Sequence, residues 1–260
     1  MTAPDLPHEH DHADHEPTER ADHEPGKPAD HEPAEPAERA YPARHVMFLH
    51  GLGGSPLSWE NQVAKIPAGV TGRAPWLRGL RPGGQESFDV PAASADLLMA
   101  LELEGATPAA LVGHSLGAMV GLQMAVDAPA AVSHLVVVAG QVRPPRSVMR
   151  AQRLAFAMIP ARQFAKSGVS KAKMREAMLA VEGFDASDQL ASVAVPTLVI
   201  VGERDRANRP AAEAIAAGGP GALLVVVPGA GHDVLREASA EFTTLLWDFL
   251  GHGSDATPGV

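Results

Sequence analysis

The chain has 260 residues, no cysteine and a formal net charge of −10 at pH 7. The length allows one domain with a sizeable core, and the missing cysteine excludes disulfides and thiolate sites while leaving the redox compartment open. No apolar run reaches the roughly 18 residues of a membrane span, and Met1-Thr2-Ala3-Pro4-Asp5 lacks the basic start of a signal peptide, so a cytoplasmic protein is expected.

Charge is distributed unevenly. Up to about Ala40 there are 12 acidic and 3 basic side chains, so the remainder is close to neutral. That stretch has almost no large apolar residue, cannot offset its chain entropy by burial, and is expected to be a disordered tail over residues 1–42. Ala13-Asp14-His15-Glu16-Pro17 recurs at Ala21 and Ala29, a period too short for a solenoid repeat. His8, His10, His12, His15, His23 and His31 lie among the tail carboxylates, a donor set that can bind zinc, nickel or copper weakly. A metal-binding or interaction protein is therefore one reading of the chain.

From His45 the chain alternates apolar runs with helical patterns. Strands are expected at 46–49, near 69–77, and at 109–112, 135–139, 195–201 and 223–227. Helices are expected at about 92–103, 118–126, 214–217 and 238–250. Strands apolar throughout and separated by helices imply a parallel sheet covered on both faces, with ligands at the carboxyl ends of the strands. Residues 141–192 interrupt the alternation with helices alone, where a cap over the site would fit. The folded domain is expected over 43–250, with a frayed end at 251–260.

Gly113-His114-Ser115-Leu116-Gly117 joins an apolar strand to a helix. A serine at such a tight turn projects its hydroxyl, and glycines two positions either side allow strand and helix to pass closely. The hydroxyl needs a base, and the base an orienting acid. His232 follows the last strand in Pro228-Gly229-Ala230-Gly231-His232, and Asp205 follows the preceding strand in Gly202-Glu203-Arg204-Asp205. Glu203, Asp233 and Asp127 are competing acids, and position favours Asp205. An oxyanion hole needs two backbone donors. Leu116 supplies one, and the loop His50-Gly51-Leu52-Gly53-Gly54 supplies the other, from Leu52 or, in reserve, Gly51. His50 and His114 are expected to bond loop backbone beside the site.

Together these motifs resemble the α/β-hydrolase superfamily, especially its small esterases, thioesterases, lactonases and cofactor-free perhydrolases, over roughly residues 45–250. The resemblance implies an α/β fold with a mostly parallel sheet of about six strands, helices on both faces and a short helical cap. It also implies a triad in the chain order Ser115, Asp205, His232. The implied activity is hydrolysis of a small carboxylic ester or thioester through an acyl-enzyme, without a cofactor. Carbon–carbon bond hydrolysis and perhydrolysis on the same triad stay open. A serine nucleophile argues against the epoxide-hydrolase and haloalkane-dehalogenase branches. The chain departs from the family where Pro75-Trp76-Leu77-Arg78-Gly79 replaces the usual Pro-Asp and glycine-rich turn, and where the tail replaces a leading hairpin.

Between Arg143 and Arg175 there are nine basic residues and no acidic one. Arg146, Arg150 and Arg153 are expected on one helix face, with Met149, Gln152, Phe156 and Ile159 on the other. The patch is read as a solvated face, as an attractor of anionic acyl substrates, or as a docking place for the acidic tail. Deleting the residues before Tyr41 would then raise activity on anionic esters at low salt. No nucleic-acid partner is expected, and the oligomeric state is open.

Overall fold

The computed structural model describes residues 42–160 and 169–253. The tail expected over 1–42 lies outside the described residues except for Pro42, as do residues 254–260 of the C-terminal stretch. The described strands are β1 (His45–Leu49), β2 (Thr71–Arg73), β3 (Ala109–His114), β4 (Val132–Val138), β5 (Thr197–Gly202) and β6 (Leu223–Val227). They form one sheet in the order β2-β1-β3-β4-β5-β6, parallel at every pairing. The helices are α1 (Glu60–Val63), α2 (Val90–Leu103), α3 (Leu116–Asp127), α4 (Arg146–Met158), α5 (Lys171–Glu182), α6 (Arg209–Gly218), α7 (Val234–Glu237) and α8 (Ser239–Phe249). No helix among the described residues is long and apolar enough to cross a membrane.

The central strands are apolar throughout because both faces are covered. Met47, Leu49, Leu111, Leu135, Val137, Val199 and Val201 point into one core, shared with Leu97, Leu101, Met119, Leu122 and Ile215 of α2, α3 and α6. The alternate residues Val46, Phe48, Val112, Val136, Val138, Leu198 and Ile200 pack on Phe242, Leu246 and Trp247 of α8, on Val234 and Leu235 of α7, and on Trp59. The period of two thus assigns successive side chains of one strand to different layers.

Two boundaries differ from the sequence reading for identifiable reasons. α2 starts at Val90 because the Asp89 side chain accepts the Ala92 N–H at 3.1 Å, with Pro91 in the first turn. β2 keeps only three residues of the expected nine-residue span; Pro75 lies just beyond it and cannot donate to a ladder.

Between β4 and β5, the described residues contain α4, α5 and a 3-10 turn at Ser187–Ser192, and no strand. α5 buries Met174, Ala177 and Met178, whereas α4 buries Met149 alone. The expected faces of α4 need correction. Arg153 turns towards α5 and pairs with Glu182 at 2.5 Å, while Leu154 and Met158 are the exposed apolar residues. Arg143 pairs with Asp185 at 3.2 Å. Acids beyond Arg175 therefore neutralise part of the basic run.

The spatial order reverses at β1: the chain goes outward to β2, then returns to β3 on the other side of β1. Loops leaving β1 and β3 diverge there and leave a crevice at the carboxyl edge.

Candidate active site

β3 delivers Ser115 into that crevice. The residue has φ 53° and ψ −111°, a left-handed conformation that is costly for a non-glycine residue, and α3 begins at the next position. The turn is held by the Ser115 N–H donating to the Val138 carbonyl at 2.8 Å. Close packing accounts for the flanking glycines. A Cβ on Gly113 would meet the backbone of Gly117 and Ala118, and one on Gly117 would collide with the Leu49 carbonyl.

β5 and β6 deliver the other two side chains. His232 Nε2 lies 3.2 Å from Ser115 Oγ, and its Nδ1 lies 2.8 Å from Asp205 Oδ2. The structure therefore brings Ser115, His232 and Asp205 together in one hydrogen-bonded line. The imidazole is half-exposed, at 48%, and the carboxylate side chain only 5%, so the imidazole is open to a ligand while the carboxylate lies buried behind it. Burial pushes the Asp205 carboxyl up, but hydrogen bonds from His232 and Asn208 outweigh it and leave the group below its ordinary value.

The competing acids are engaged elsewhere. Glu203 accepts the Gly229 N–H at 2.8 Å, Asp233 pairs with Arg236 at 3.0 Å, and Asp127 accepts from Ser94 and Gln123. Glu237 accepts the Gly231 N–H at 2.9 Å and pairs with Arg204. Two carboxylates thus pin the loop that carries His232. Sequence reasoning missed this use of Glu203 and Glu237.

The two neighbouring histidines bond backbone. His114 Nε2 lies 3.0 Å from the His232 carbonyl oxygen, and fully buried His50 lies between the Gly51 carbonyl at 2.9 Å and the Leu77 N–H at 3.3 Å. Burial holds both imidazoles below their usual basicity.

Ser115, Leu52 and His232 stand where two cavities meet. One, of about 300 Å³, lies under the helical insertion and is walled by Leu116, Met119, Val148, Met149, Met178 and Val181. The other, of about 520 Å³, opens beside Gly53, Gly54, Asn61, Asp233 and Arg236. Leu116 is the first residue of α3, so its N–H has no carbonyl partner one turn back within the helix.

Asn208 and Gln141 also went unread in the sequence. Asn208 Nδ2 donates to both oxygens of Asp205, at 2.9 and 2.7 Å, and Gln141 Nε2 donates to Asn208 Oδ1 at 2.7 Å. An asparagine just before a helix reads as an N-cap, and that ordinary reading masks the contact. The six tail histidines lie outside the described residues, among which no cluster of three or more His, Asp or Glu side chains could hold a metal ion.

Residues 46–245 match the alpha/beta hydrolase family. The chain is 28% identical to the protein named "Putative carbamate hydrolase RutD" of Variovorax paradoxus (strain S110), over 83% of this chain and 94% of that one. It is 31% identical to the protein of the same name from Klebsiella pneumoniae (strain 342), over 81% of this chain and 92% of the relative. Among solved structures, MGS-M2, an alpha/beta hydrolase from a Medee basin deep-sea metagenome library, superposes with a TM-score of 0.72 at 20% identity, covering 84% and 92% of the two chains. The six-stranded parallel sheet and the matched span agree: this chain belongs to the alpha/beta hydrolase family.

Proposed function

We propose that the protein hydrolyses a small carboxylic ester or thioester through an acyl-enzyme on Ser115. His232 Nε2 takes the hydroxyl proton as Oγ attacks the carbonyl carbon, then gives it to the departing alcohol or thiol. Asp205 holds the Nδ1–H and stabilises the imidazolium. The backbone N–H groups of Leu52 and Leu116 receive the oxyanion. Water, activated by the same imidazole, releases the acid and restores the serine. The observation that carries this reading is the unbroken line from Ser115 Oγ through His232 to the buried Asp205.

The two cavities suggest how the substrate lies. The acyl group occupies the apolar cavity of about 300 Å³, and the leaving group faces the more open one. The name carried by the Variovorax and Klebsiella relatives favours a second reading, in which the attacked carbonyl belongs to a carbamate. A fluorophosphonate probe tests the nucleophile. Label is expected on Ser115 and lost in Ser115→Ala; label on the Ser115→Ala protein would overturn the assignment. A panel of esters, thioesters and carbamates then separates the substrate classes.

A further inference from the structure

We infer that Asn208 and Gln141 form a positioning relay that fixes the Asp205 carboxylate beside His232, where Asn208 Nδ2 lies 3.0 Å from His232 Nδ1. The inference rests on the proposed triad. Asn208 is the N-cap residue of α6, yet its side chain caps nothing in that helix. An asparagine there ordinarily accepts a hydrogen bond from the first turn. Here the amide faces the carboxylate instead, and the Asn208 backbone N–H also donates to Asp205 Oδ1 at 3.3 Å. Asn208 is 9% exposed, so water is poorly placed to replace it.

The next link fixes which way the amide points. Gln141 Nε2 donates to the Ala207 carbonyl at 3.2 Å, which only a nitrogen at that position can do. The same Nε2 donates to Asn208, so the Asn208 atom facing Gln141 is its oxygen and the atom facing Asp205 is its nitrogen. Asp205 then has donors on both oxygens: His232 and Asn208 on Oδ2, and Asn208 on Oδ1. A carboxylate rotates readily about its terminal torsion, and donors on both oxygens restrain it in the plane that meets the imidazole.

Gln141 stands just beyond β4, at the start of the helical insertion, and both relay residues wall the cavity of about 300 Å³. The wall that an acyl group would touch is therefore continuous with the group that orients the base.

The test measures the fluorophosphonate labelling rate and the kcat and KM for one reactive ester, per mole of folded protein. Asn208→Asp keeps the shape but replaces the donor with an acceptor. Labelling rate and kcat should fall about tenfold to a hundredfold with KM changed less than about threefold, as expected for losing a hydrogen bond to a charged group. In Asn208→Ala the acid limb of kcat/KM against pH should move upward, because a less neutralised carboxylate favours the protonated base. Gln141→Leu should cost about threefold in the wild-type background and nothing in Asn208→Ala, since it acts through Asn208. Wild-type labelling by Asn208→Asp would overturn the relay, as would a full Gln141→Leu cost in the Asn208→Ala background. Should the Asn208 variants not fold, an unchanged rate in Gln141→Leu alone overturns it. Failure of the wild-type protein to label would instead strike the proposed nucleophile.

Discussion

Gly117 runs directly beneath the Leu49 carbonyl, with no room for a side chain between them. This approach locks the first turn of α3 against the end of β1, and so fixes the spacing between the Ser115 turn and the loop holding Leu52. Gly117→Ala should destabilise the fold by about 1–3 kcal/mol, because backbone cannot move aside as a flexible side chain would. Thermal denaturation should show a drop of several degrees in Tm.

Glu237 restrains the His232 loop through the Gly231 N–H, away from the line of Ser115, His232 and Asp205. Glu237→Ala should lower kcat severalfold while shifting Tm by little, since its ion pair with Arg204 is largely exposed. Glu237→Gln retains an acceptor oxygen and should recover most of the rate. Steady-state kinetics on the two variants check the difference.

Asp205 makes a signed prediction about pH. Its carboxyl is held below the ordinary value when folded, so the unfolded chain binds its proton first as pH falls. The stability it supplies is present above about pH 4, the unfolded carboxyl value, and is lost as pH drops through the lower folded value. Asp205→Asn should lack this contribution, giving a shallower loss of stability on acidification in denaturant titrations. Its kcat should fall on the order of 10⁴-fold, as when a triad acid is replaced by its amide.

The imidazoles of buried His50 and partly buried His114 work in the same direction from a higher pH. Both have folded pKa values lowered by burial, so below about 6.5 the unfolded state takes up protons that the native state resists. Stability should decline from about pH 7 towards pH 5. His50→Gln, which keeps a donor and an acceptor, should reduce that slope in urea unfolding curves.

The legible parts were those where one local pattern has one physical solution. Short, β-branched apolar runs such as Leu135 to Val138 fit strands covered on both faces, and the glycines flanking Ser115 mark a close approach. The relative places of Ser115, Asp205 and His232 followed because each ends a parallel strand at the same edge. The supporting contacts were not legible. Asn208 and Gln141 are 67 positions apart, and each has a commonplace local role, so no spacing rule joins them. The faces of α4 were misread for a related reason: the pairing of Arg153 with Glu182 depends on how α5 packs, which the periodicity of α4 does not encode.

The apolar cavity beneath the insertion makes the last prediction. Each acyl methylene buried against Met149, Val148 and Met178 is worth up to about 0.8 kcal/mol, or roughly fourfold in kcat/KM if it is held in the transition state. A series of straight-chain esters should therefore rise by up to about fourfold per carbon until the cavity is filled, then fall. Met178→Trp narrows the cavity from the α5 side, so its maximum should move to a shorter chain while activity on the acetate ester stays within about twofold. A flat profile in the wild-type protein, or an unmoved maximum in the variant, would place the acyl group in the other cavity.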